Sequence, residues 1–256
     1  MKIFQRRKKL IKMANSSEQE IRDRFNKKNI PKDPLWIEQA YSKSLPYEIR
    51  LLLCERLGFL ADKGWTSIKS LIKKYGRQPE LIYAVGICHQ IEARDFLLNQ
   101  LEEQKELDIN ILKALACWGA VLTNSQLELI LKSKSQAIRI AGLELLSFKS
   151  HLLNETELLS LIHEPLNDFR DEVVIKVIKV LQRRNENAVI DRLKQLALNG
   201  SYPIAEQSLI ALGSIGTKYS SRQISELINQ LDIQELKQKA KKQLSIQDIF
   251  LDRKII

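Results

Sequence analysis

The sequence predicts an all-α fold, an α-solenoid of about six helix pairs stacked into a superhelix. Three observations predict it. Glycine (9) and proline (6) are scarce in 256 residues, which disfavours a turn-rich β architecture and suits helices joined by short loops. Apolar residues recur at helical spacing: Ile49, Leu52, Leu53 and Leu57 follow i, i+3, i+4, i+8, and Val174, Val177, Ile178 and Leu181 follow i, i+3, i+4, i+7. Side chains so placed share one helical face, whereas strands would need a period of two. Finally, one segment shape recurs six times along the chain.

Those segments are ERLGFLAD (55–62), YAVGICHQ (83–90), KALACWGA (113–120), LELLSFKS (143–150), IKVLQRRN (178–185) and IALGSIGT (210–217). Their fourth positions, Gly58, Gly86, Ala116, Leu146, Leu181 and Gly213, lie 28, 30, 30, 35 and 32 residues apart. That suits one HEAT-type helix–turn–helix unit per repeat, shorter than the roughly 40–47 residues usual for such repeats. Each segment ends a first helix, and second helices are expected over 65–75, 92–104, 124–133, 155–163, 187–199 and 221–231. Glycine inside a helix costs roughly 1 kcal/mol against alanine, so Gly58, Gly86 and Gly213, with Ala116, read as points where helices approach closely. Leu146 and Leu181 imply wider spacing.

Local punctuation agrees with this reading. Ser125 with Glu128 and Ser220 with Gln223 have capping-box spacing, Pro79 and Pro203 suit a first turn, and Gly76 and Gly200 suit helix C-termini. One pair cannot bury its own apolar faces, whereas stacked pairs share a continuous core and curve around a concave surface. The expected organisation is a flexible basic tail over 1–33, a solenoid over 34–232 capped by 34–44, and a basic C-terminal capping segment over 233–256. The lysines of its amphipathic helix (233–247) read as a solvated face.

The formal charge of +10 is unevenly distributed. Residues 1–33 hold eleven Lys or Arg against four acids, or +7, leaving +3 for the remainder. A start at Met13 would lower the total to +4. The low charge of the body argues against nucleic-acid binding, despite a pI of 9.4 and a small basic cluster of Lys69, Lys73, Lys74 and Arg77. Apolar residues at 44% and charged ones at 28% are ordinary for a soluble globular protein. No run reaches the roughly 18 apolar residues of a membrane span, and the basic N-terminus lacks the apolar core of a signal peptide. Cys54, Cys88 and Cys117 show no paired spacing. They read as small buried hydrophobes of a reduced, cytoplasmic protein.

No GxSxG, HExxH, P-loop or GxGxxG motif occurs, and no acid pair is marked for general acid–base work. Catalytic residues are therefore not assigned. Cys88-His89 could suggest a metal ligand pair, yet adjacent helical residues point about 100° apart and no second Cys/His cluster is near in sequence. His89 continues the stripe of Ile82, Val85 and Gly86, which predicts a packed histidine at a helix end. His151 and His163 offer no ligand spacing. Aromatics beside arginines, Tyr75 with Arg77 and Phe96 with Arg94, have the chemistry to hold a planar, carboxylate-bearing ligand, since rings stack and guanidinium binds carboxylate bidentately. The candidate binding residues are Tyr75, Arg77, His89 and Arg94, and no metal site is expected.

The runs LGFLAD, VGICHQ and LGSIGT resemble the HEAT-like repeat of the phycobilisome lyase family, the E/F-type bilin lyases and their adaptor relatives. The resemblance spans roughly residues 47–231. It is closest at Leu212–Thr217; elsewhere HQ, GA, KS and RN replace the usual glycine–acid ending. It implies a protein that grips another protein on its concave face: an adaptor or chaperone in phycobiliprotein maturation or turnover, in a cyanobacterial setting. The alternative it implies is one subunit of a lyase, partnered by a second lyase-like chain, that attaches a linear tetrapyrrole (bilin) to a phycobiliprotein cysteine. No bilin-attachment motif carries over to particular residues.

Overall fold

The computed structural model describes residues 18–26, 30–103 and 106–252, the last five of these as backbone only. They form α1 (18–26), α2 (Pro34–Ala40), α3 (Tyr47–Phe59), α4 (Asp62–Tyr75), α5 (Pro79–Ile87), α6 (Ile91–Glu103), α7 (Ile109–Trp118) and α8 (Asn124–Leu131). The chain continues with α9 (Gln136–Lys149), a 3-10 turn (Ser150–Leu152), α10 (Glu155–Leu166), α11 (Asp171–Leu181), α12 (Asn187–Asn199), α13 (Tyr202–Ile215), α14 (Lys218–Gln230) and α15 (Gln234–Asp252). No strand occurs among the described residues. First and second helices alternate along the chain as the repeat requires, and each second helix overlaps its expected span. None of the described helices is long and apolar enough to cross a membrane.

The chain divides into two compact units, Met1–Ala120 and Val121–Ile256, each a stretch of α-solenoid. In the first unit α3, α5 and α7 lie side by side in an A layer, with α2 and α4 adjacent in a B layer that α6 continues. In the second, α9, α11, α13 and α15 form the A layer and α8, α10, α12 and α14 the B layer. Within the stretch read as a flexible tail, α1 is helical and buries Ile21. The Arg24 guanidinium lies 4.3 Å from the Trp36 ring.

The close approaches occur where the small residues predict them. A Cβ on Gly86 would sit 2.5 Å from the Ala114 carbonyl oxygen, so α5 and α7 touch backbone to backbone. On Gly58 it would lie 2.8 Å from Ile87 Cβ, between α3 and α5, and on Gly213 it would strike Gln243 of α15. Leu146 and Leu181 are fully buried. The predicted helix starts shift, however. The capping box of α8 is Thr123 with Gln126, not Ser125 with Glu128. That of α14 is Thr217 with Ser220, not Ser220 with Gln223, so the helix begins at Lys218. In both, a threonine just upstream accepts the free amide at N3, so the cap falls at the first hydroxyl rather than the second. Pro79 and Pro203 occupy first turns, and Gly76 and Gly200 are C-caps. Cys54 and Cys88 are buried, but Cys117 is exposed. It sits four residues after exposed Lys113 on the face of α7 that Ile111, Leu112 and Leu115 leave outward.

Two polar knots fix the layers. In the first unit the fully buried Glu80 carboxylate, in the first turn of α5, accepts from Tyr41 Oη at 2.7 Å and pairs with Arg50 at 2.8 Å. This ties the segment after α2 and helix α3 to α5. Burial, then the bond to Glu80, pushes the Tyr41 phenol well above its ordinary range. In the second unit the Asp168 carboxylate, 1% exposed, pairs with Arg139 and Arg170 at 2.7 Å each. It locks the α10–α11 turn to α9. α15 closes this unit: buried Gln247 donates to the carbonyls of Leu212 (2.6 Å) and Gly213 (3.0 Å) at the end of α13.

Both knots predict measurable behaviour. Glu80→Ala strands the Arg50 guanidinium without its partner and is expected to cost about 3–5 kcal/mol, read as a large drop in the denaturation midpoint. The bonds from Arg170, then those from Arg139, hold the Asp168 carboxyl well below the usual carboxylate range. A depressed folded-state value gives stability that is complete above the unfolded value near pH 4 and lost as pH falls further. Asp168→Asn should therefore be less stable than the native chain at neutral pH, by a gap that shrinks between about pH 4 and pH 2 in denaturant titrations.

Candidate functional site

The turns after α3 and α5 hold the two non-glycine residues with positive φ among the described residues. α7 ends in Gly119, a left-handed residue (φ 78°) that carries no Cβ to clash. At the corresponding positions after α3 and α5 the chain places Ala61 (φ 52°, ψ −123°) and His89 (φ 50°). Residues with a Cβ rarely adopt such angles, and each costs roughly 1–3 kcal/mol unless its surroundings impose it. Here hydrogen bonds impose it. The Ala61 amide donates to the Gly58 carbonyl at 3.0 Å, and the Ala61 carbonyl accepts from the amides of Gly64 and Trp65 and from Cys88 Sγ at 3.1 Å. Trp118 Nε1 donates to the Gln90 carbonyl at 3.2 Å, clamping the second turn onto the end of α7.

This scaffold presents a three-part stack. The His89 ring lies 6.1 Å from the Trp118 ring, tilted by 35°, and the Arg94 guanidinium lies 5.2 Å from the same indole. Arg94 is oriented by Asp95, which it meets through Nε (2.9 Å) and Nη2 (2.7 Å). Phe59 and Ile91, at the ends of the same turns, are 68% and 62% exposed. Aromatic and guanidinium groups amid exposed apolar side chains are the composition that dominates protein-binding hot spots. Such a stack can also hold a planar ring or a carboxylate.

Of the four residues expected to bind, the structure brings His89 and Arg94 together and sets Tyr75 and Arg77 apart. The latter precede α5 and the former follow it or lie beyond it, at opposite ends of a helix about 13 Å long. The Tyr75 hydroxyl donates to the Tyr41 carbonyl at 3.3 Å and the two rings lie 5.2 Å apart. Arg77 bonds Gln100 at 2.6 Å. The proposed pairing of Phe96 with Arg94 is replaced: Phe96 packs edge-on to Trp65 at 6.0 Å, while Arg94 turns to Trp118. His89 is exposed rather than packed, because α5 ends at Ile87 and the left-handed turn swings the ring outward. Sequence reasoning missed Trp118 as the centre of the stack. The available signal was its offset of one repeat, 28 residues, from Gln90.

Cys88, beside this stack, is buried, and burial raises its thiol to about 11, so at neutral pH it is a protonated hydrogen-bond donor rather than a nucleophile. Among the described residues no group of three or more His, Cys, Asp or Glu is placed to hold a metal ion.

No protein-family model and no curated protein matches the chain. Solved structures of similar helix-pair build do. The archaeal HEAT-like repeats protein from Thermococcus onnurineus NA1 is 16% identical over 86% of this chain and 98% of its own, with a TM-score of 0.47. The complex of CpcE and CpcF of phycocyanin lyase from Nostoc sp. PCC7120 is 15% identical over 86% and 96%, with a TM-score of 0.45. Human deoxyhypusine hydroxylase is 14% identical over 84% of each chain, with a TM-score of 0.41.

The strain at the first turn is testable. Ala61→Gly removes the Cβ from a backbone conformation that only glycine adopts freely. It is expected to raise stability by about 1 kcal/mol, even after the added chain entropy of glycine, in equilibrium denaturation.

Proposed function

We propose that this chain is a protein-binding HEAT-repeat adaptor or chaperone, serving phycobiliprotein maturation or turnover in the cytoplasm. The observation that carries the reading is the His89–Trp118–Arg94 stack with Phe59 and Ile91 exposed beside it. The assembly is held rigid by turns that spend backbone strain on position. Preorganised aromatic and guanidinium groups lose little freedom when a partner covers them, which is what a docking site needs. The absence of a catalytic motif from the sequence fits binding better than chemistry. The resemblance of LGFLAD, VGICHQ and LGSIGT to the lyase-family repeat supplies the phycobiliprotein context.

One feature favours a second reading, a phycobilin lyase subunit working with a second lyase-like chain. The flat indole beside a guanidinium suits a linear tetrapyrrole bearing carboxylates. Both readings meet in one experiment. The chain is titrated with apo-phycobiliprotein subunits by calorimetry, and is co-expressed with them, a bilin and a partner subunit. Binding that Arg94→Ala weakens about thirtyfold or more, the scale of an interface hot spot, with unchanged melting, supports the adaptor. A covalently coloured product supports the lyase. Absence of both binding and colour refutes the phycobiliprotein context.

A further inference from the structure

The B layer of the second unit holds a groove that the reading above does not use. It lies between the neighbouring helices α12 and α14 and has a volume of about 450 Å³, within the roughly 300–1,000 Å³ of ligand-binding clefts. Its walls are charged, amide and phenol side chains. Asp191, Lys194 and Gln195 supply one wall at i, i+3, i+4 of α12, and Tyr219, Arg222, Gln223 and Glu226 the other at i, i+3, i+4, i+7 of α14. Such spacings gather each set on one helical face.

The polar groups of the two walls are used unequally. Both carboxylates already have partners. Glu226 accepts from Lys194 Nζ at 2.6 Å and from Arg222 Nε at 3.1 Å, and Asp191 accepts from the Tyr219 hydroxyl at 2.8 Å. The bonds of Lys194 and Tyr219 cross between the helices and brace the walls. Two groups are left over. The Arg222 side chain is 74% exposed and bonds through Nε alone, so the two terminal amino groups of its guanidinium meet no described residue. Gln223 is only 6% exposed. Its carboxamide lines the groove and makes no hydrogen bond to any described residue. Buried polar groups are ordinarily paired, and an apolar side chain would occupy this place at less cost. On the facing wall Gln195 accepts from Asn199 at 3.2 Å and keeps its own amide donors.

These leftovers define a ligand chemistry. A free guanidinium fork suits a carboxylate. A free carboxamide suits a peptide group, whose N–H and C=O it meets with its own C=O and N–H. An acidic residue within an extended chain carries both. We propose that the α12–α14 groove binds an extended peptide segment of a partner protein, one that bears an acidic side chain. Gln223 pairs with the main chain, Arg222 with the carboxylate, and Gln195 donates to a further carbonyl. No carboxylate of the lining stands without a partner to repel the acid. A free anion such as phosphate would occupy Arg222 but leave the acceptor of Gln223 unused. The site is independent of the His89–Trp118–Arg94 stack.

The test is an NMR titration of the full chain with acetyl-glutamate N-methylamide, the smallest probe that holds both groups. The expected result is millimolar binding, read as shifts of backbone amides in α12 and α14. The glutamine analogue, of the same shape, should bind about tenfold more weakly, since it lacks the charge-assisted bonds. Gln223→Met, which keeps the side-chain length, and Arg222→Gln should each weaken the glutamate probe about as much, with melting unchanged. Arg94→Ala should leave it bound as before, which separates this site from the one proposed above. A longer acetylated alanine peptide with one central glutamate should bind more tightly than the single residue. The proposal is overturned if α12 and α14 show no shifts, if the two probes bind alike, or if either groove variant binds as the native chain does. Inorganic phosphate binding as tightly as the glutamate probe would reduce the groove to an anion site and overturn it too. So would a longer peptide that binds no better than the single residue, since the ligand would then be a free acylamino acid.

Discussion

The approach of A helices to within backbone contact is the constraint on which the first unit depends. A helix with one apolar stripe gains stability only when the stripe is covered, and in a stack of pairs the cover is the next pair. Gly58 and Gly86 let α3, α5 and α7 come close enough that Ala84, Ile87 and Ala114 lie where a side chain would otherwise be. The alignment of successive turns follows from that spacing. The stack on Trp118 exists because α5 and α7 are near enough for the turn after one to bond the last residue of the other.

Each unit also spends polar groups on register. Apolar stripes tolerate sliding, whereas Glu80 reaches Tyr41 and Arg50 together in one arrangement only. Asp168 between Arg139 and Arg170 has the same character. Buried ion pairs are weak contributors to net stability but costly to break, which suits them to fixing position.

Much of the candidate site was legible in part. His89 and Arg94 were picked out by residue type, and the fold brings them together on Trp118. Their geometry could not be read locally, because Trp118 reaches them from the next repeat and because the left-handed turn at His89 falls where periodicity would continue the helix. Tyr75 and Arg77 shared the same sequence signature yet serve packing and a polar contact with Gln100. Adjacency in sequence does not report which side of a turn a side chain takes.

What the sequence by itself determined is the repeat: six helix pairs, the residues of their stripes, the glycines where helices meet and the prolines and glycines that bound them. These are set by periods of 3.6 and about 30 residues, which local pattern carries in full. What only the tertiary structure decided is which side chains from different repeats converge. That holds for Trp118 with His89 and Arg94, for Glu80 with Tyr41 and Arg50, and for Lys194 and Asp191 with Glu226 and Tyr219. The reason is physical: convergence depends on the stacking distance and on turn conformations, and those are fixed by contacts about 30 residues apart rather than by any one segment.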